Sequence, residues 1–421
     1  LFLAGLLLSI CSRCCAQPPS DSLEQFRTLL REGNLDDRRR AAIETLSCDP
    51  EMQAELLPDF INLLRHETDG QIRLAIFDTL TEMGPAASRA IPALMLAMQR
   101  DFGGRYNEEK HQDYRAALAL ASIGEPAVEG LRNLLLEDAE NVRAEAAMAL
   151  GRIGPAATVA ASDLVKLLSD PSSRVRSDVV HALGGIGTGA IDAILSAMPA
   201  QDAEASACAI SAAALAAPDD ERVRSAVMAA LDHSSPQVRA AAIEAAGNLP
   251  LPASGELEAA LRFDVALRAA LSDPDESVRI ATVNLLLSRK DWNVDLRDFL
   301  QSLLVHEDEG VAWHAAYLLQ SQGLAALPSL LEAASHPQSR LPQLARAISM
   351  ICWLTLDDLY EVFSEGDDRQ RQVAALALGQ IRPVDEETVQ RLTSGLSEEN
   401  QPLQSACLSA ITGLDAAAAG A

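Results

Sequence analysis

Between residues 139 and 170 the apolar positions follow a helical rhythm. Val142, Ala146, Ala149, Leu150 and Ile153 stand at i, i+4, i+7, i+8 and i+11, a spacing that lines one face of an α-helix. Gly154-Pro155 then stops the helix. Glycine accepts the left-handed conformation just past a helix C-terminus, and proline cannot continue the hydrogen-bond ladder. A second helix is predicted with Leu164, Leu167 and Leu168 turned inward, and Asp170-Pro171 opens the next turn. The second-helix spacing recurs as Ile91, Leu94 and Met98, as Leu131, Leu134 and Leu135, and as Leu300, Leu303 and Leu304. No sustained alternation of β-branched residues competes with it, so no sheet is expected.

The pattern is also a repeat. Val142-Arg143, Ala149-Leu150-Gly151 and Ile153-Gly154-Pro155 return as Val175-Arg176, Ala182-Leu183-Gly184 and Ile186-Gly187. They return again as Ile72-Arg73, Thr79-Leu80 and Met83-Gly84-Pro85. The arginines mark the period: Arg39 to Arg73 is 34 residues, Arg143 to Arg176 is 33, and Arg239 to Arg279 is 40. Arg176 to Arg239 spans two units, with Ser206 between, and Arg279 to Arg371 spans three, with Ala312 and Pro342 between. Such a period implies a stacked solenoid, here about a dozen two-helix units between residues 36 and 415. One pair cannot bury its own apolar face and needs a pair on each side. Alanine runs at 116–121 and 212–217 let first helices approach closely, while leucines on the second helices supply apolar area. The Pro-containing stretch 249–255 reads as a loop inside one unit, so the expected organisation is a single array. Residues 17–35 cap it, and 416–421 form a short disordered tail.

These residues resemble the HEAT-repeat family in its bacterial PBS-lyase-like form, whose unit reads roughly D-x-x-x-x-V-R-x-x-A-x-x-A-L-G-x-I-G. Asp138 with Val142-Arg143, and Asp273 with Val278-Arg279, carry the likeness, which covers nearly the whole chain after residue 35. The resemblance implies an all-α, right-handed armadillo-type solenoid. It also implies a ladder between stacked units, formed by Arg39, Arg73, Arg143, Arg176, Arg239, Arg279 and Arg371 with aspartates such as Asp138, Asp170 and Asp273. Position 113 departs from it, carrying Asp with Arg115 two residues late, and the units at 202–233, 309–336 and 337–368 lack the arginine. A looser stack is expected there. The family includes deoxyhypusine hydroxylase, a di-iron oxidoreductase with four His-Glu pairs, and lyases that attach chromophores to cysteine. This chain has two such pairs, His66-Glu67 and His306-Glu307, about seven units apart. They are too distant to share a metal, so no catalytic residue, cofactor or metal is assigned.

Charge narrows the partners. The net charge is −26, with lysine only at 110, 166 and 290. Nucleic acid and anionic lipid need positive patches and are not expected, whereas a cationic protein or peptide suits the surface. The start of the chain is separate: positions 1–10 are almost wholly apolar, and Cys14-Cys15-Ala16 precedes Gln17-Pro18-Pro19. This resembles a secretory signal cut near Gln17 and shortened at its own beginning, which predicts export to the periplasm or outside the cell. Ten helical residues reach about 15 Å, half a bilayer, so no stable membrane span is expected. Cys48, Cys208, Cys352 and Cys407 would remain, at spacings that match no zinc or haem motif. The last three occupy core positions of the repeat.

Two features stand out as candidate contact elements. The segment 99–112 lengthens one inter-unit turn with Phe102, Arg105 and Tyr106, and long loops in compact repeats are often binding elements. Toward the C-terminus Trp292, Trp313, His314, Tyr317, Trp353 and Tyr360 cluster in drifted units, with Trp313 directly after the arginine position. Stacking should also align polar residues of successive second helices into a concave stripe: Arg132 and Asn133, then Asp163 and Lys166, then Asp192 and Ser196. The expected function is an exported scaffold that binds a protein or peptide along this stripe and the loop.

Overall fold

The computed structural model describes residues 20–100, 110–198, 202–250, 257–288, 297–306, 308–321, 323–337, 339–352 and 356–418. Among the described residues every regular element is a helix. First helices of the pairs begin at residues 35, 70, 110, 140, 173, 203, 236, 276, 309, 341 and 368, each followed by a second helix. A single helix, Ser20–Glu32, precedes them, and Gln401–Ala418 follows. The chain divides into two compact units, residues 1–224 and 225–421.

Glycine makes the turn within a pair. Gly84, Gly124, Gly154 and Gly187 cap their first helices with φ between 55° and 86° and ψ between −130° and −146°. That region is cheap only without a Cβ. A short 3-10 segment then delivers the chain to the second helix, as Gly154–Ala160 does between Glu140–Ile153 and Ala161–Lys166. The same break explains an otherwise suggestive run. Ser173–Ala197 is a 25-residue run whose most apolar 18-residue window has a mean hydropathy of 1.4, enough to cross a membrane by length and composition. Gly187 folds it into Ser173–Ile186 and Ile191–Ala197, the two helices of one repeat.

In the first unit the core is assembled pair by pair. Val142, Ala146, Ala149 and Leu150 are buried from the first helix, and Leu164 and Leu168 from the second, as the spacing predicts, whereas Ile153 and Leu167 of the same predicted faces are only half-buried. Each first helix packs on the first helix of the next pair, and second helices pack likewise, for instance Ala161–Lys166 on Ile191–Ala197. Small residues set how close they come: a Cβ on Gly151 would stand 2.5 Å from Ala182 Cα in the next first helix.

The second unit has its own core. It runs through Leu300, Leu303 and Leu304, Leu330, Ile348, Leu359, Leu378 and Leu403. Cys352 and Cys407 are fully buried within it, and burial pushes both thiols up to about 11, far from a reactive thiolate. Cys208, in the first unit, is only half-buried.

Candidate protein-binding surface

The arginine at the head of each first helix ties two loops together. Arg143 places its guanidinium on the Asp170 carboxylate of the next unit at 2.8 and 3.0 Å. It also donates to the carbonyls of Glu137 and Asp138, at 2.8 and 2.7 Å, in the loop before its own helix. Arg239 repeats the arrangement with Asp273 at 2.7 and 2.8 Å and the carbonyls of His233 and Ser234. Asp170 and Asp273 each serve twice, because their own carbonyls accept from the following Arg176 and Arg279. Arg176 reaches Glu204, Arg371 reaches Glu398 at 2.6 Å, and Arg39 reaches Asp69 at 2.5 Å. Asp69 is also the N-cap of Gly70–Met83, accepting from Ile72 N. That rung therefore also fixes the point where the next helix starts.

Several rungs differ from the expected Asp–Arg pair. Asp138 is exposed and contributes its carbonyl rather than its carboxylate; the unit before it carries Asp113 instead of arginine, and Arg115 there pairs backward with Asp78. Arg73 is 1% exposed, donates to the Leu64 carbonyl and lies 5.4 Å over the Phe77 ring. Arg279 meets Asp308 at only 3.6 Å, and Gly310 leaves it room. In the unit at 202–233, buried Ser206 donates to Met198 O. Gln404 takes the role in Gln401–Ala418, donating to the carbonyls of Leu396 and Glu398. In the unit at 337–368, Arg369 reaches back from the next helix to Ala334 O and Ser339. Sequence reading passed over Arg369 and Gln404, although both are long donors near the expected period.

The second helices carry the polar stripe. Arg132 holds Asp163 of the next unit at 2.8 and 2.9 Å, and Lys166 joins the same carboxylate at 3.0 Å. Lys166 and Arg132 hold Asp163 below the usual carboxylate range against the opposing effect of burial. Asn133, Lys166, Asp192 and Ser196 are exposed. Asp192 accepts from Arg222 of the following second helix at 2.8 Å, and Ser196 bonds back to Ala193 O. Arg27 and Arg31 make the equivalent contact to buried Asp59 near the start of the first unit. These pairs tie second helices together two at a time, which position counting alone did not anticipate.

The loop candidates Phe102, Arg105 and Tyr106, and likewise Trp292, Trp353 and Glu307, lie outside the described residues. Trp313 is half-buried, with Arg346 5.0 Å over its ring and Tyr317 beside it at 6.2 Å. Glu67, suspected with His66 on chemical grounds, is a structural carboxylate: it accepts from Arg38 at 2.5 Å and from the amides of Thr68 and Asp69.

Helix pairs stacked through shared cores and an arginine ladder define an α-solenoid. Within that class the chain carries HEAT repeats: the model of HEAT repeats matches residues 106–184, 128–211 and 264–351. Comparison with curated proteins gives no match. Among solved structures, Kap121p is similar over 94% of this chain and 48% of its own, at 12% identity and a TM-score of 0.46. Kap95p, from work on its binding to RanGDP, is similar over 94% and 61%, at 12% identity and 0.48. YibA of E. coli is similar over 75% and 99%, at 18% identity and 0.37. The chain thus spans less than two thirds of the Kap121p and Kap95p chains.

Proposed function

We propose that the chain is an exported, non-enzymatic scaffold that holds a protein or peptide against its second-helix face. The observation that carries this reading is the Arg132–Asp163 bridge with Lys166. It fixes neighbouring second helices in register and leaves Asn133, Lys166, Asp192 and Ser196 in solvent at regular intervals. A rigid, regularly spaced array of donors and acceptors suits an extended polypeptide, whose polar groups also recur at fixed spacing. The net charge of −26 favours a cationic partner over nucleic acid. Segment 99–112, with Phe102, Arg105 and Tyr106, precedes the first of these units in sequence and adds aromatic and basic residues to the proposal.

The test begins with capture from a periplasmic extract and mass spectrometry. Asp192→Arg together with Ser196→Arg, and separately deletion of residues 102–107, should each weaken retention of the captured protein. The thermal midpoint of the double variant should change little, since Asp192 and Ser196 are both exposed. Undiminished retention by both variants would place the binding surface elsewhere. Export rests on the apolar run at 1–10 and is checked by N-terminal sequencing of protein recovered from its host. A mature start near Gln17 is expected, and an intact 1–16 segment on cytoplasmic protein would overturn it.

A further inference from the structure

Three neighbouring first helices of the second unit, Glu276–Ser288, Glu309–Gln320 and Leu341–Ile351, present a face unlike the rest of the chain. Trp313 and Tyr317 are one helical turn apart on the middle helix, and Arg346 lies over Trp313. Arg346 follows Trp313 by 33 residues, the same offset that separates Arg143 from Arg176. Met350 follows Tyr317 by 33, and Trp313 follows Ile280 by 33. The repeat therefore lays out a grid: Ile280 and Asn284, Trp313 and Tyr317, Arg346 and Met350. Ile280 is 42% exposed, Tyr317 38% and Met350 46%.

No carboxylate stands in this grid. The acids on the three helices, Glu276 and Glu309, are their first residues. In the first unit the matching positions hold Ala144 and Met148, then Ser177 and His181, beside Glu145, Arg174 and Asp178. The first unit thus accommodates Ala, Ser and His as well as Met at these sites, so the Trp313–Tyr317 pair is not a requirement of the repeat. Trp, Tyr, Met and Arg are the residues enriched at the centre of protein interfaces, and acids are depleted there.

We infer that this face is where a second copy of the chain docks. Two copies each carrying −26 repel one another, but at physiological ionic strength only charges within about 8 Å count. Over a surface with 60 acidic residues, most approaches oppose carboxylate to carboxylate. An approach through the grid opposes none. Its one formal charge, Arg346, is already engaged by the Trp313 ring, so a partner chosen for its charge finds little to pair with. A two-fold contact uses the same patch on both copies and closes after two, which covers Ile280, Tyr317 and Met350 together.

Sedimentation equilibrium of the full chain over a wide concentration range tests this. A species of twice the 44.8 kDa chain mass is expected at the upper end. Tyr317→Glu and Met350→Glu, both at exposed positions, should each raise its dissociation constant about tenfold or more while leaving the circular-dichroism melt in place. Ser177→Glu on the first unit should leave association unchanged. Raising salt from about 0.15 to 0.5 M should maintain the dimer, because no carboxylate–cation pair within the grid holds it together. A chain that stays monomeric throughout, including one that binds a different protein at this face, overturns the inference. So does a dimer indifferent to both substitutions or one dissolved by salt.

Discussion

Arg143 shows how much one side chain holds together. Its side chain is 12% exposed and that of Asp170 is 3% exposed, so their charges are largely out of water. The same guanidinium satisfies two loop carbonyls. Truncation leaves a buried carboxylate without its cation and two acceptors without donors. Arg143→Ala should therefore destabilise by about 2–4 kcal/mol, measured as a lower urea midpoint. Arg222, whose side chain is 58% exposed and pairs with an Asp192 that is 90% exposed, should show no change in midpoint on substitution, since solvent already screens that pair. The arginines of the ladder were legible in the sequence because the Val-Arg step recurs at a nearly fixed period. Their acceptors were legible only in part. The acid is Asp69, Asp170, Glu204, Asp273, Asp308 or Glu398, at varying distances along the chain. Half the bonds go to backbone carbonyls, which no side-chain motif records.

At the scale of helices, the decisive residues are those with no side chain. Gly151 and Gly185 face each other across neighbouring first helices, where a Cβ on Gly185 would collide with the Gly151 carbonyl and one on Gly151 with Ala182. Gly379 meets Ala410 in the same way in the second unit. Gly151→Leu should therefore force the two helices apart and cost about 1–3 kcal/mol through overpacking, read from chemical denaturation. Glu140→Ala, at the exposed start of the same helix, is the control and should be close to neutral. The helical face and its Gly-Pro stop were readable from spacing. That one glycine serves a turn (Gly154) and another a close approach (Gly151) was not. Both appear in the same Gly-x-x-Gly run, and only the neighbouring helix distinguishes them. The Trp313 region marks the same limit: the missing arginine was visible, but Arg346 as the group that covers the ring comes from the adjoining unit.

At the scale of the whole molecule, the fold is coupled to pH through opposing charge effects. The Asp69 carboxyl is held below its ordinary range chiefly by Arg39. Burial would raise Asp170, but Arg143 and the Ser172 amide outweigh it and hold that carboxyl low as well. A carboxyl with a depressed folded pKa contributes stability above the unfolded value, near 4, and loses it as pH falls further. His314 acts at higher pH. It is buried on Glu309–Gln320, and burial first, then the nearby Arg279 cation, lower its pKa, against the pull of Glu276, the Gly310 backbone and Asp308. Below about 6.5 the unfolded chain takes up a proton that the folded imidazole resists, so stability should begin to fall there. The net charge works the other way, because acidification toward the pI of about 4.6 relieves self-repulsion. Salt screens that repulsion more than it screens buried groups. In about 0.5 M salt, urea midpoints should therefore be flat above pH 7, decline gently below about 6.5 and drop steeply below about 4. His314→Gln should remove the gentle part and leave the steep one. Parallel curves for the two proteins between pH 7 and 5 would show that His314 does not titrate against the fold.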